Sequence, residues 1–125
     1  MVVGIGIDIV ETPRIAGLIE RHGDRFIERT YTEGEVAYCR ERKRAVEHFA
    51  ARWAAKEAAS KAFGTGIAAG IHWKDIEVVN EVSGKPTILF HGAAAKLASE
   101  RGVTSIHLSI THTEGYSAAV VVLES

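Results

Sequence analysis

The amino-acid sequence predicts an α+β fold in which a mainly antiparallel sheet packs on one long helix. Three observations point there. The candidate elements run in the mixed order β-α-α-α-β-β-α-β-β, without the strict alternation of strand and helix that builds a parallel sheet. Turn-forming residues join two pairs of neighbouring strands as hairpins. One alanine-rich stretch lacks proline and glycine internally and is closed by a glycine, which marks it as the best-specified helix in the chain.

Residues 2–10 are rich in glycine and β-branched side chains. Period-two alternation puts Val3, Ile5, Ile7 and Ile9 on one face and Gly4, Gly6, Asp8 and Val10 on the other, the pattern of a strand. Thr12-Pro13 then signals a helix start, with threonine as capping residue and proline in the first turn. Ile15, Leu18 and Ile19 continue at helical spacing to about His22, where Gly23 stops the helix. Thr32 and Glu35 form a capping box that opens a second helix through Glu41, with the basic run Arg40, Arg42, Lys43 and Arg44 at its end. The long helix spans residues 47–63 and ends at Gly64. A glycine-rich loop over 64–70 leads into strands 76–82 and 87–90, joined by the turn Ser83-Gly84-Lys85-Pro86. Residues 93–101 read as a helix ending at Gly102, and 105–112 with 117–123 as a second hairpin around Glu114-Gly115.

No repeat, linker or low-complexity segment divides the chain, and 125 residues with 46% hydrophobic content suffice for one core, so residues 1–125 are expected to be a single domain. The 15 basic and 16 acidic side chains leave a formal charge of −1, and no global field favours nucleic acid or an acidic membrane as partner. Cys39 is the one cysteine, which excludes an internal disulfide framework and fits a reducing compartment, the cytoplasm by default. No apolar run approaches the roughly 18 residues of a membrane span, and the opening segment carries an aspartate where a signal peptide has basic residues.

Four features carry chemistry. Phe49, Trp53, Glu57 and Lys61 follow at steps of four along the long helix and form one slowly turning stripe. Glu57 and Lys61 alone would ordinarily be a surface ion pair. Their stripe, however, runs into Gly64-Thr65-Gly66, a loop expected to approach a ligand closely and to offer N–H groups to phosphate oxygens. Asp8 is a charge inside an apolar strand and must be paired, exposed or metal-bound; a helix-capping role is the plain alternative. Asp8 and Glu57 together match the hard oxygen ligands that magnesium prefers. Thr111-His112 closes a strand, where a histidine is usually solvated or hydrogen-bonded, and the six histidines show no paired zinc spacing. Finally Arg14, Leu18, Arg21 and Arg25 share a helix face if that helix or a continuation of it holds. Such a face is either simply solvated or a docking surface for an acidic helix.

The segments Gly4-Ile-Gly-Ile-Asp8-Ile-Val-Glu11, Phe49-Ala-Ala-Arg52-Trp53-Ala-Ala-Lys56-Glu57-Ala-Ala-Ser-Lys61-Ala-Phe-Gly64-Thr-Gly66, Gly84-Lys-Pro86 and Leu108-Ser-Ile-Thr-His112 resemble holo-[acyl-carrier-protein] synthase, the short class of 4′-phosphopantetheinyl transferases. The resemblance spans nearly the whole chain, and its motifs fall in order at compatible distances. It implies a 4′-phosphopantetheinyl transferase-like fold. The activity it implies is transfer of 4′-phosphopantetheine from coenzyme A to a serine of apo-acyl carrier protein, releasing adenosine 3′,5′-bisphosphate, a step on which fatty acid biosynthesis depends. By the same resemblance Asp8 and Glu57 match magnesium ligands, Lys61 the lysine near the coenzyme A phosphates, and Gly66, Pro86, Thr111 and His112 positions lining the nucleotide cleft. Arg14, Leu18 and Arg21 match the carrier-docking helix, and the family's trimers imply a homotrimer with sites between subunits.

Larger, two-domain relatives carry a D-x-E pair where this chain has Asp8-Ile9-Val10; Val10 cannot bind metal, so water or substrate must complete the coordination. The resemblance leaves open whether Glu57 or a water takes the serine proton. Two other classes remain: a non-catalytic coenzyme A or nucleotide-binding module, and a metal-dependent phosphohydrolase.

Overall fold

The computed structural model describes residues 1–68 and 70–125; Ala69, in the glycine-rich loop, lies outside them. The elements are β1 (Val2–Glu11), α1 (Thr12–His22), α2 (Asp24–Thr30), α3 (Glu33–Arg40), α4 (Ala45–Ala62), a 3-10 turn (Trp73–Asp75), β2 (Ile76–Asn80), β3 (Pro86–Phe90), α5 (Gly92–Glu100), β4 (Ser105–His112) and β5 (Tyr116–Glu124). Every expected element is present, with ends moved by a residue or two. The sequence did not mark α2. Gly23 does stop α1, but its backbone (φ 53°, ψ −133°) turns the chain straight into a second short helix that buries Phe26 and Ile27.

The expected caps fare differently. The box at α3 forms, with Thr32 N–H donating to Glu35 Oε1 (2.8 Å) and Glu35 N–H to Thr32 Oγ1 (3.2 Å). Thr12 does not cap α1: it lies inside the first turn, its N–H donates to the Gly115 carbonyl, and its hydroxyl is buried without a partner.

Strands β1, β5 and β4 form an antiparallel sheet in the order β1-β5-β4, and β2 and β3 a separate antiparallel hairpin. Helix α4 lies on the three-stranded sheet, and two glycines set how close. A Cβ at Gly6 would stand 1.8 Å from the Ala58 carbonyl oxygen, and one at Gly4 2.0 Å from that of Ala62. Only a residue without a side chain lets β1 rest directly on α4. The glycine and Asp8 face therefore turns inward, and the isoleucine face of β1 looks out, with Ile7 68% exposed. In the register Ile5, Ile7 and Ile9 lie beside Val122, Val120 and Ala118 of β5, which extends the outward apolar face across two strands.

Alanines of α4 pack under Val121 and Leu123 in the core, while Phe49 meets Tyr31, whose hydroxyl donates to the Phe49 carbonyl at 2.8 Å. Among the described residues no helix is long and apolar enough to cross a membrane.

Candidate active site

Asp8 lies midway along β1 on the face that meets α4. Lys61, one turn beyond Glu57 on α4, donates from Nζ to Asp8 Oδ1 at 2.9 Å and to the Ile7 carbonyl at 3.2 Å. The lysine is half-exposed (51%) and the aspartate largely covered (11%). The other carboxylate oxygen, Asp8 Oδ2, is buried with no hydrogen-bond partner. Burial first, and then the Asp8 charge, hold the Glu57 carboxyl above the usual carboxylate range, while Lys61 and Arg14 pull it down. Lys61 bonds Asp8 but not Glu57, and Asp8 Oδ2 is left buried without a partner, so the two carboxylates keep oxygens free of hydrogen-bond donors. A small divalent cation that prefers oxygen ligands fits that donor set. Among the described residues no group of three or more His, Cys, Asp or Glu makes a fuller cage, so the chain offers two carboxylates and leaves the remaining positions to water or substrate oxygens.

The stripe expected along α4 starts in the core, with Phe49 and Trp53 buried, and emerges at Glu57 and Lys61. Beside it, α1 buries Ile15 and leaves Arg14 and Arg21 exposed with Leu18 half-buried. Arg25 does not extend that face, because the turn at Gly23 puts it on α2. The Arg14 guanidinium lies over the Trp53 ring, 4.9 Å from its centroid.

The Gly64-Thr65-Gly66 loop departs from expectation. Its three N–H groups donate to the carbonyls of Lys61 and Ser60 and so close the C-terminus of α4, whose last carbonyls otherwise lack partners. Gly64 (φ 80°) and Gly66 (φ 65°) supply the left-handed backbone this closure requires. A helix C-terminus carries partial negative charge, and the loop's N–H groups are already donated to helix carbonyls, so this loop is poorly suited to receive a phosphate.

Thr111 and His112 do not join Asp8 within the chain. His112 Nδ1 lies 3.7 Å from Glu47 Oε1, and its ring centroid 5.7 Å from that of His48, both at the start of α4. The ten residues from Glu47 to Glu57 correspond to roughly 15 Å along the helix. Thr111 is exposed on the outward sheet face opposite Ala118. On the far side of His48, whose ring centroid is 5.8 Å from that of Tyr38, stands a cluster that sequence reasoning missed. Arg52, 4% exposed, donates to Asn80 Oδ1 at 2.7 Å and lies 3.9 Å from the Tyr38 ring centroid, with Arg42 at 3.3 Å from the same ring. Its Nε–H is buried without a partner, and among the described residues it meets no carboxylate in an ion pair. A buried cation left short of acceptors suits an anionic group. The available signal was an arginine amid buried alanines. Pro86 sits opposite Asn80 in the β2–β3 ladder and so borders this second cluster, while Gly66 remains at the far end of α4.

Comparison with known proteins identifies the family. Residues 4–121 match the family model of the 4′-phosphopantetheinyl transferase superfamily. The chain is 56% identical over 124 residues to a holo-[acyl-carrier-protein] synthase of Koribacter versatilis, covering 99% of both chains. Its fold is similar to the crystal structure of holo-[acyl-carrier-protein] synthase from Neisseria meningitidis, with a TM-score of 0.93, 35% identity and full coverage of both chains (100%). It is also similar to the Bacillus anthracis holo-(acyl-carrier-protein) synthase solved in complex with CoA (3′,5′-ADP), with a TM-score of 0.83 and 42% identity over 100% of this chain and 98% of that one. The chain belongs to the holo-[acyl-carrier-protein] synthase family of the 4′-phosphopantetheinyl transferase superfamily.

Proposed function

We propose that residues 1–125 form one catalytic domain that transfers 4′-phosphopantetheine from coenzyme A to a serine of apo-acyl carrier protein, in fatty acid biosynthesis. The observation that supports it best is the Asp8, Glu57 and Lys61 constellation, with its orphaned Asp8 Oδ2, in a chain so similar to named synthases. The serine Oγ attacks the phosphorus that bears the pantetheine arm; the bond from that phosphorus to the bridging oxygen breaks, and adenosine 3′,5′-bisphosphate leaves. The serine proton passes to Glu57 or to a water beside it. Lys61 leaves Asp8 to meet phosphate oxygens, whose charge it neutralises in a half-exposed position. Arg14, Leu18 and Arg21 receive the acidic carrier and hold its serine in line. Asp8 and Glu57 would hold magnesium, which when bound supplies positive charge to the phosphate oxygens. Arg52 and His112 form the anion-binding end of the nucleotide cleft.

The working assembly is a homotrimer in this proposal. Two observations favour it: the outward apolar face of β1 and β5, and the separation of the two clusters along α4. A neighbouring copy is the means by which one subunit's carboxylates and another's His112 share a cleft. The cytoplasm is the proposed compartment, where the buried Cys39 thiol would stay reduced.

The test is incubation with coenzyme A, magnesium and apo-acyl carrier protein, followed by mass spectrometry of the carrier. A gain of one phosphopantetheine group is expected. An unmodified carrier with intact coenzyme A indicates a binding module, and hydrolysed coenzyme A without carrier modification indicates a phosphohydrolase.

A further inference from the structure

The chain's two tryptophans stack on each other at the edge of the docking helix. Trp53, on α4, is 6% exposed, and its ring centroid is 5.3 Å from that of Trp73 at an interplanar angle of 29°. Trp73 opens the 3-10 turn, and its carbonyl accepts from the buried Lys56 Nζ at 3.0 Å, which ties the outer ring's backbone to α4. The Arg14 guanidinium lies over Trp53, 4.9 Å from the ring centroid. Trp53 and Glu57 are one turn apart on α4, so this arginine stands between the exposed face of α1 and the carboxylates. An exposed arginine side chain has several free torsions, and fixing it on binding costs affinity; a planar aromatic face removes part of that cost beforehand.

We propose that Trp53, backed by Trp73, is a positioning residue for carrier docking: it holds the Arg14 guanidinium on its ring face, in the pose that meets an acidic side chain of the carrier. The inference rests on the carrier-docking role proposed for α1. It makes the aromatic stack a determinant of carrier affinity without contact to the reacting atoms.

The test is steady-state transfer at saturating coenzyme A with varied apo-carrier, for wild type, R14A, R14K, W53F, W53L and the R14A/W53L double variant. W53L should raise the carrier KM about threefold to tenfold, the worth of a cation–π contact, with kcat within about twofold of wild type. W53F, which keeps a ring face, should recover most of that loss. R14K keeps the charge but not the planar group and should raise KM by about the same factor as W53L. On the R14A background, W53L should add less than about twofold, because the two residues act as a unit. The inference is overturned if R14A raises KM while W53L and R14K leave it unchanged, or if the R14A and W53L factors multiply in the double variant. A wild-type protein without transferase activity, or an R14A variant with wild-type carrier KM, overturns the docking role itself. Circular dichroism checks that W53L folds; should it not, R14K and W53F, at an exposed and a ring-conserving position, decide the matter.

Discussion

Lys56 and Lys61 lie on the same helix and each meets a carboxylate, Glu35 Oε1 at 2.7 Å and Asp8 Oδ1 at 2.9 Å, yet the two ion pairs have opposite character. The first is closed. Both partners are 0% exposed; Lys56 Nζ also donates to the carbonyls of Trp73 and Ile76, and Glu35 accepts the N–H groups of Thr32 and Val78. Burial pulls the Lys56 ammonium below its ordinary range, and Glu35 opposes that pull. The second is open. Lys61 is half in solvent, Asp8 keeps an orphaned oxygen, and Glu57 is raised by burial and by Asp8. Charge that is fully partnered in the interior ties α3, α4 and β2 together; charge left short of partners at an edge is available to a ligand.

That contrast can be broken in order of effect. Lys56→Met should strand Glu35 as an uncompensated buried charge and cost about 3–5 kcal/mol of stability by chemical denaturation, with part regained in the Glu35→Gln/Lys56→Met double variant. A loss under about 1 kcal/mol would show that the closed pair is not structural. Lys61→Ala should do the reverse, changing stability by less than about 1 kcal/mol but lowering turnover about a hundredfold, roughly 3 kcal/mol of barrier. A rate within about threefold of wild type removes Lys61 from the mechanism. Ile7→Asp puts a charge on the outward apolar face. If the proposed trimer uses this face, sedimentation should show monomer in its place, with transfer reduced at least about tenfold, because the open site would lose its neighbouring cluster. An unchanged assembly would mean that this face is not the interface.

The smallest effect concerns the far cluster. Burial, then the charges of His112, Arg42 and Arg52, hold His48 below its ordinary 6.5, while Glu47 opposes them. As pH falls, the unfolded chain therefore takes up a proton before the folded one, and stability present above about pH 6.5 is lost below it. His48→Gln should flatten the melting-temperature profile between about pH 7 and about pH 5. Parallel profiles for the two proteins would show that His48 is not proton-linked to folding.

Much of the fold was legible along the chain because its signals are local. The Thr32 and Glu35 box, the Gly64 stop and the alternation in β1 each involve residues within a turn or a strand of one another. The α2 helix was not legible, since Gly23 acts as both stop and start and the seven residues after it carry no side-chain cap. At the site, Asp8 stood out as a charge in an apolar strand and Glu57 with Lys61 as a pair. Arg52 was hidden, because an arginine in an alanine-rich helix looks solvated until the helix is buried around it.

Sequence by itself determined which residues carry charge, where the chain must bend and which stretch becomes α4, because propensity and capping act over a few residues. Tertiary packing alone decided which of two adjacent acid and base positions is inert: Lys56 points into the hairpin and Glu57 toward β1, one residue and about 100° apart on the helix. It also decided that Asp8 faces Lys61 while isoleucines face outward, since Gly4 and Gly6 admit the helix on one side of β1 only. Burial and the pairing of charges depend on what lies opposite in space, and no local pattern encodes that.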